Sequence, residues 1–463
     1  MGRRFVTSRL VVVSNRLAVV REGESPVGGL AVAVHAALKD QGGIWFGWSG
    51  EVAATPSTTA AITTDDKLIY ATIDLTRRDL NEYYSGFANS VLWPLFHYRM
   101  GLVSYRRADF DSYFRVNQKF AHALMPLLRP DDTIWVHDYH LLPLAQELRR
   151  EGVAQKIGFF LHTPFPAEEL AAILPRHTNL FRPMLAYDLV GFQTEGDRSA
   201  FLHYMQAELG ANVGSDGTIV SVDRVTRTGV FPIGIETEEI VATAKAVESS
   251  AKSRRLKHTQ NNRALIIGVD RLDYSKGLVE RFRAFERLFD LFPEERNRVS
   301  LMQIAPPTRT NVGSYRQIRR ELESAASEIN GRLADFDWVP IRYINRSYGQ
   351  GDLCGFYRHS QIGLVTPLRD GMNLVAKEYV AAQDPQNPGV LVLSRFAGAA
   401  RELAGALIVN PFDTDEVAEA IRIALHMPLD ERVRRWEAMI ERLRRQDVHA
   451  WRRQFLASLD ATR

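Results

Sequence analysis

Two sets of short apolar runs constrain this chain more than any other feature. The first set reads RLVVVSN, KLIYATIDL, TIWVHDY, KIGFFLHT, LVGFQT and VFPIGI; the second reads RALIIGVDRL, VSLMQIAPP, VPIRYIN, IGLVTPL, GVLVLS and ALIVNPF. Several are apolar on consecutive positions, as strands buried on both faces must be. Helical patterns such as KFAHALMPLL and LVERFRAFERLFDLF lie between many of them. Strand–helix alternation predicts parallel α/β sheets. At 463 residues the chain is too long for one ordinary core. A polar stretch without a core pattern, VESSAKSRRLKHTQNNR at 247–263, separates the two sets. The expected boundary lies just before it, near Glu236–Glu239, giving domains 1–238 and 239–463. Beyond Asp430 the spacing of Val433, Trp436, Ile440 and Leu443, then of Trp451, Phe455 and Leu459, predicts one packing helix or two. The final helix, about 447–460, is expected to pack back on the N-terminal domain.

The formal net charge of +3 is spread through the chain, with no basic block for nucleic acid or a membrane surface. A single cysteine, Cys354, excludes an internal disulfide framework. The opening MGRRFVTSRLVVVSN has too short an apolar core for a signal peptide and reads as a first strand. No apolar window is long enough to span a bilayer. These features predict a cytoplasmic soluble protein.

Two α/β domains make an interdomain cleft, and in open α/β sheets ligands sit beyond the carboxyl ends of strands. The candidates are therefore the residues that follow each run. Arg16 follows the first strand, and Gly28-Gly29 opens an apolar helix whose backbone N–H groups can approach an anion, although a glycine pair is more often a turn. HDYH after TIWV supplies His137, Asp138 and His140; without a third ligand at suitable spacing they do not make a metal site. His162 follows KIGFFL, where hydrogen bonding is as good a role as proton transfer. Arg271 and Lys276 flank a turn closed by Gly277; a guanidinium and an ammonium so placed suit a diphosphate, and Arg271, directly after a buried strand, would need a partner. Arg309 lies on the same rim. In PLRDGMNLVAKE, Asp370 is expected to end a strand, Gly371 to allow a sharp turn and Asn373 to cap a helix. The N–H groups of Leu374 and Val375 would then hold a phosphate, and Asp370 and Glu378 would accept sugar hydroxyls. Phosphate donors flanked by hydroxyl acceptors make a nucleotide-sugar site. DFDSY at Asp109–Tyr113 does not follow an apolar strand and reads as ordinary structure.

The motifs VVVSNRL, GGLAV, WFGWSG, EYYSGFANSVLWPLFHY, WVHDYHLLPLAQELR, GFFLHTPFP, GFQTE, FPIGIE, VDRLDYSKG, QIAPPTR and TPLRDGMNLVAKEYVAAQ cover nearly the whole chain. In this order they resemble the α,α-trehalose-6-phosphate synthase family of retaining glycosyltransferases. The resemblance implies a GT-B fold: two Rossmann-like domains facing a cleft, the N-terminal one for the acceptor and the C-terminal one for the nucleotide sugar. It implies transfer of glucose from UDP-glucose to glucose 6-phosphate. By the family pattern, Arg271, Lys276 and the backbone of Leu374 and Val375 would contact the donor diphosphate, and Gly371, Met372 and Asn373 would belong to the same donor site. Gly29 would approach the reaction centre, Glu378 would bind the ribose and Tyr348 would lie by the uracil. His162 and Asp370 would hold the donor glucose. Arg16, Tyr84 and Arg309 would meet the acceptor phosphate, with Trp48, Trp93 and Asp138 lining its pocket.

The family is thought to react on one face, the departing phosphate taking the acceptor proton; a covalent carboxylate intermediate is the alternative. The leaving diphosphate would be stabilised by Arg271, Lys276 and the helix N-terminus, so no metal or other cofactor is expected. A pseudo-glycosyltransferase joining cyclitols and a non-catalytic sugar-phosphate sensor are the rival readings. Donor base, regulation and oligomeric state, with a homo-oligomer (dimer or tetramer) the assembly considered, stay open at this level.

Overall fold

The computed structural model describes residues 8–17, 38, 42–221, 224–309 and 312–462. Gly28 and Gly29 lie outside them. The chain divides into two compact units: one runs to Pro232 and resumes at Trp451, the other is Ile233–Ala450. The sequence expectation had put a single division after residue 238.

In the first unit the strands are β1 (Leu10–Arg16), β2 (Gly43–Val52), β3 (Ala61–Asp65), β4 (Leu68–Leu75), β5 (Thr133–His137), β6 (Lys156–Phe160), β7 (Leu189–Phe192), β8 (Asn212–Val213), β9 (Ile219–Val220) and β10 (Val225–Val230). They form one sheet in the order β3-β4-β2-β1-β5-β6-β7-β10-β9-β8. Pairing is parallel from β4 to β10, and β3, β9 and β8 add antiparallel edges. The run VFPIGI is corrected: the strand ends at Val230, and the residues after it are irregular. β2 was not among the expected strands, because its tryptophans and glycines hide a β-branched pattern. The second unit has β11 (Ala264–Val269), β12 (Val299–Ile304), β13 (Ile341–Ile344), β14 (Ile362–Val365), β15 (Val390–Ser394) and β16 (Leu407–Val409). All five pairings are parallel, in the order β13-β12-β11-β14-β15-β16.

Renumbered from its own first strand, that second order is 3-2-1-4-5-6, the doubly wound arrangement. It reverses direction between β11 and β14. The first unit reverses in the same way between β1 and β5. Burial explains the composition of these strands, since β5, β12, β14 and β15 are covered throughout their length.

The helices follow from amphipathic spacing. Leu278–Leu291 buries Leu278, Phe282, Phe285, Leu288 and Phe289, each worth about 1.5–3 kcal/mol of apolar burial. The polar stretch between the two sets of runs is helical at Ala251–Gln260, capped by Ser250, with Leu256 its one large apolar contact to the interior. DFDSY lies within the helix Arg107–Leu124, where Asp109 pairs with Arg106. The tail makes two helices, Leu429–Arg445 and Val448–Asp460. The last packs Trp451 and Phe455 on Trp135, with ring centroids 4.8 and 4.7 Å away. Gly158 and Gly191 in β6 and β7 make room for it: a Cβ on either would come within 2.7 Å of Phe455.

Candidate active site

Beyond β11 and β14 two loops are tied together. Ser275 O accepts from the Leu368 N–H at 2.8 Å. Gly277, at φ 63°, closes the turn; a Cβ there would lie 2.6 Å from Thr366 O. Under the loops the buried Arg281 guanidinium bonds Asp270 Oδ2 at 2.6 Å, Gln303 Oε1 at 2.8 Å and Thr366 Oγ1 at 3.0 Å. Burial raises the Asp270 carboxyl, with Arg281 and Lys276 pulling the other way. This corrects the sequence argument for Arg271. The buried charge directly after the strand is Asp270, already matched by Arg281, and Arg271 is exposed.

Lys276 is buried and pairs with Asp370 Oδ2 at 2.5 Å. The same oxygen accepts from Asn373 Nδ2 at 3.0 Å. Asp370 does not end a strand: β14 stops at Val365, and Asp370 makes a one-residue bridge to Ala397. The left-handed turn falls on Asn373 at φ 80°, a conformation asparagine tolerates better than most residues. Its side chain accepts from the Ala376 N–H at 3.1 Å and caps the helix Leu374–Ala382. A first turn has no intrahelical acceptors for its leading N–H groups, so those of Leu374 and Val375 are available to an anion. Gly371 and Met372 are buried beneath that turn, held by the bond from the Ala399 N–H to Met372 O.

Glu378 lies one turn further along. Packing around its carboxyl raises its pKa to about 7, and the Tyr357 hydroxyl lies 3.4 Å away. Tyr357 belongs to the helix Gln350–Arg358, and its neighbour Phe356 meets Tyr348 edge-on at 5.1 Å. The Tyr348 hydroxyl accepts from Arg346. Arg309, at φ 47°, has its Nη1 2.5 Å from the Tyr315 hydroxyl and 3.4 Å from Asp273 Oδ2.

The switch point of the first unit is lined by rings. Arg16 and Trp48 are paired in register across β1 and β2, and the guanidinium lies 5.6 Å from the Trp48 ring. Trp48 meets Tyr84 at 5.8 Å, and Tyr84 stacks on His140 at 5.8 Å with 11° between planes. Tyr84 is presented by a π-helix, Leu80–Leu92, whose wider turn is reinforced by Asn89 Nδ2 donating to Tyr84 O. Such turns recur at functional sites. Trp93 and His140 both pack on Tyr139, at 5.6 and 4.0 Å.

Asp138 starts the turn after β5 at φ 74°, a costly angle for aspartate. It accepts the His162 N–H at 3.2 Å and donates its own N–H to Phe160 O. His162 Nε2 lies 3.1 Å from His137 Nδ1, and Trp451 covers both rings. Desolvation lowers His162 to about 3 and keeps His137 well below its usual value. Both imidazoles are therefore neutral near pH 7.

The structure thus gathers Arg16, Trp48 and Tyr84 at one switch point, with Trp93, Asp138 and His162 beside the following turns. In the other unit it gathers Lys276, Asp370 and residues 371–378. Sequence reasoning missed Asp270, Asp273, Arg281 and Tyr315. Asp273 had a local signal, since it starts a turn in which its Oδ1 accepts the Ser275 N–H at 2.9 Å. Tyr315 had none. Among the described residues no cluster of His, Cys, Asp and Glu could hold a metal, and no helix is long and apolar enough to cross a membrane.

The model of Glycosyltransferase family 20 matches residues 8–461. A trehalose-6-phosphate synthase from Cronobacter sakazakii is 50% identical over 452 residues, spanning 98% of this chain and 95% of its own. An α,α-trehalose-phosphate synthase (UDP-forming) from Burkholderia xenovorans, solved in complex with glucose-6-phosphate, is 52% identical, with a TM-score of 0.95 over 98% of this chain and 100% of that one. A structure from E. coli bound with UDP-2-fluoro glucose is 48% identical, with a TM-score of 0.93 over 98% and 99%.

Proposed function

Because the chain belongs to glycosyltransferase family 20, we infer that it is a retaining glucosyltransferase. It moves glucose from UDP-glucose to glucose 6-phosphate, giving α,α-trehalose 6-phosphate and UDP. Its fold class is GT-B, α/β with parallel-rich sheets. One observation carries the reading: the Lys276–Asp370 pair sits beside the capped N-terminus of Leu374–Ala382 at a doubly wound switch point. That is a place for a diphosphate bearing a sugar.

The assignment of roles is our proposal. Lys276, Arg271 and the N–H groups of Leu374 and Val375 take the diphosphate and stabilise the charge it gains as it leaves. Gly371, Met372, Asn373 and Asp370 shape the donor-glucose side, and Gly29 belongs to the same donor set. Glu378 accepts ribose hydroxyls and Tyr348 flanks the uracil. Arg16, Tyr84 and Arg309 bind the acceptor phosphate, with Trp48, Trp93 and Asp138 around the sugar. Fixed protein charges serve where a divalent ion would otherwise be needed, so the reaction is proposed to run without metal.

His162 is a poor proton donor or acceptor when desolvation holds it neutral. It acts as a hydrogen-bond partner of the donor glucose. The acceptor proton then goes to the departing phosphate, which supports reaction on one face. The same reading puts the protein in the cytoplasm, with small-molecule substrates and no nucleic-acid or membrane partner.

Incubation with UDP-glucose and glucose 6-phosphate, beside GDP- and ADP-glucose, tests the function. UDP release with an α,α-linked phosphorylated disaccharide is expected. No turnover with UDP-glucose would overturn the reading; amine-linked products from cyclitols would favour the rival.

A further inference from the structure

Arg309 is an unusual residue for a phosphate clamp. Its backbone is left-handed at φ 47°, and its side chain is only 7% exposed. A guanidinium held that deep needs a counter-charge before any phosphate arrives. Asp273 supplies it. This aspartate is fully buried, and its two oxygens do different work. Oδ1 accepts the Ser275 N–H at 2.9 Å, within the turn that carries Lys276. Oδ2 accepts the Tyr315 hydroxyl at 2.9 Å and lies 3.4 Å from Arg309 Nη1. Tyr315 also reaches Arg309 directly, with its hydroxyl 2.5 Å from Nη1 and its ring 5.5 Å from the guanidinium carbon. Burial and the Asp273 charge raise the Tyr315 phenol, so it stays protonated and donates. The hydroxyl and the carboxylate both meet this guanidinium at Nη1.

We propose that Asp273 and Tyr315 are positioning residues that set selectivity for a phosphorylated acceptor by holding Arg309 in the conformation that receives the phosphate. The proposal rests on the assignment of Arg309 to the acceptor phosphate. A flexible arginine would lose side-chain entropy on meeting phosphate; one already pinned by a carboxylate and a hydroxyl has lost it beforehand. The same carboxylate orders the Lys276 turn, so one residue sets both the donor loop and the acceptor cation. An asparagine keeps an oxygen for Ser275 but offers Arg309 an N–H in place of a charge. A phenylalanine at 315 removes only the hydroxyl.

The test compares D273N, Y315F, R309A and the double variant D273N/R309A. Each is assayed with glucose 6-phosphate and with free glucose, and titrated with UDP by calorimetry. In Y315F and D273N the preference for glucose 6-phosphate should fall by about tenfold, as loss of a charge-assisted contact does. UDP affinity should stay within about twofold in Y315F, and in the R309A background D273N should change the preference by less than about twofold, because the two act through one group. A wild-type preference in both Y315F and D273N, with collapse in R309A, overturns the proposal and leaves the Arg309 assignment standing. A wild-type preference in R309A overturns that assignment and the proposal with it. Equal losses toward both acceptors, with UDP affinity falling in parallel, would show a merely structural role and also overturn it.

Discussion

Beyond β11 and β14 the inward charged side chains are matched in pairs: Arg281 with Asp270, Lys276 with Asp370, Arg309 with Asp273. At the corresponding place beyond β1 and β5 the lining is aromatic: Trp48, Tyr84 and His140 in sequence, with Arg16 laid against the first ring. There the imidazoles of His137 and His162 are held neutral by burial. The topology is the same and the treatment of charge differs. A site for a leaving group that gains charge needs cations in place beforehand, and buried cations need partners while they wait. A site for a sugar needs flat apolar faces and hydrogen-bond partners that do not titrate. On the roles proposed above, charge stabilisation falls to the second unit and sugar orientation mainly to the first.

The largest expected effect tests the charged side. Lys276→Ala should lower kcat by roughly 100-fold or more, as loss of one transition-state charge stabiliser does. Arg271→Ala is expected to lower it in the same direction, and near-normal kcat in both variants would remove them from the diphosphate site. The aromatic side comes next. Arg16→Ala should raise KM for glucose 6-phosphate by about ten- to a hundredfold, the equivalent of about 1.5–3 kcal/mol for a charge-assisted contact. Steady-state assays at saturating UDP-glucose measure it, and an unchanged KM would separate Arg16 from the acceptor.

Glu378 sharpens the comparison through pH, because its half-buried carboxyl is raised by desolvation, with the Tyr357 hydroxyl pulling the other way. With its pKa at about 7, it must lose a proton to accept ribose hydroxyls as a carboxylate. UDP affinity should therefore fall as pH drops below about 7, approaching tenfold per unit, and Glu378→Gln should flatten the profile while weakening binding by about 1–3 kcal/mol. The sign for stability is opposite. A folded pKa raised above its unfolded value stabilises the protonated protein, so this contribution is present at acid pH and lost as pH rises through about 7. Calorimetry across pH 5.5–8.5, roughly spanning that pKa, checks both directions. The smallest effect is none: activity should persist in excess EDTA, and loss restored by Mg²⁺ would contradict a metal-free reaction.

Much of this was legible in the sequence for a physical reason. A strand covered on both faces must be apolar throughout, so the runs at β11, β12, β14 and β15 declare themselves, and strand–helix alternation gives the α/β class. The Asn373 cap was readable from residue type, though its left-handed angle was not. What failed were arguments from nearness in sequence to a strand. Arg271 was given a buried charge that belongs to Asp270, and Asp370 a strand end that lies at Val365. Partnerships such as Asp273 with Tyr315, and His137 with His162, join residues distant in the chain and leave no periodic mark. The π-helix that presents Tyr84 has no signature in the apolar pattern either.

The most direct test of the division between the two sites is a UDP titration, with no acceptor present, of Lys276→Ala and Arg16→Ala side by side. Lys276→Ala should bind UDP at least about tenfold more weakly, and Arg16→Ala within about twofold of the unaltered protein. Comparable weakening in both variants, or weakening in Arg16→Ala alone, would contradict it.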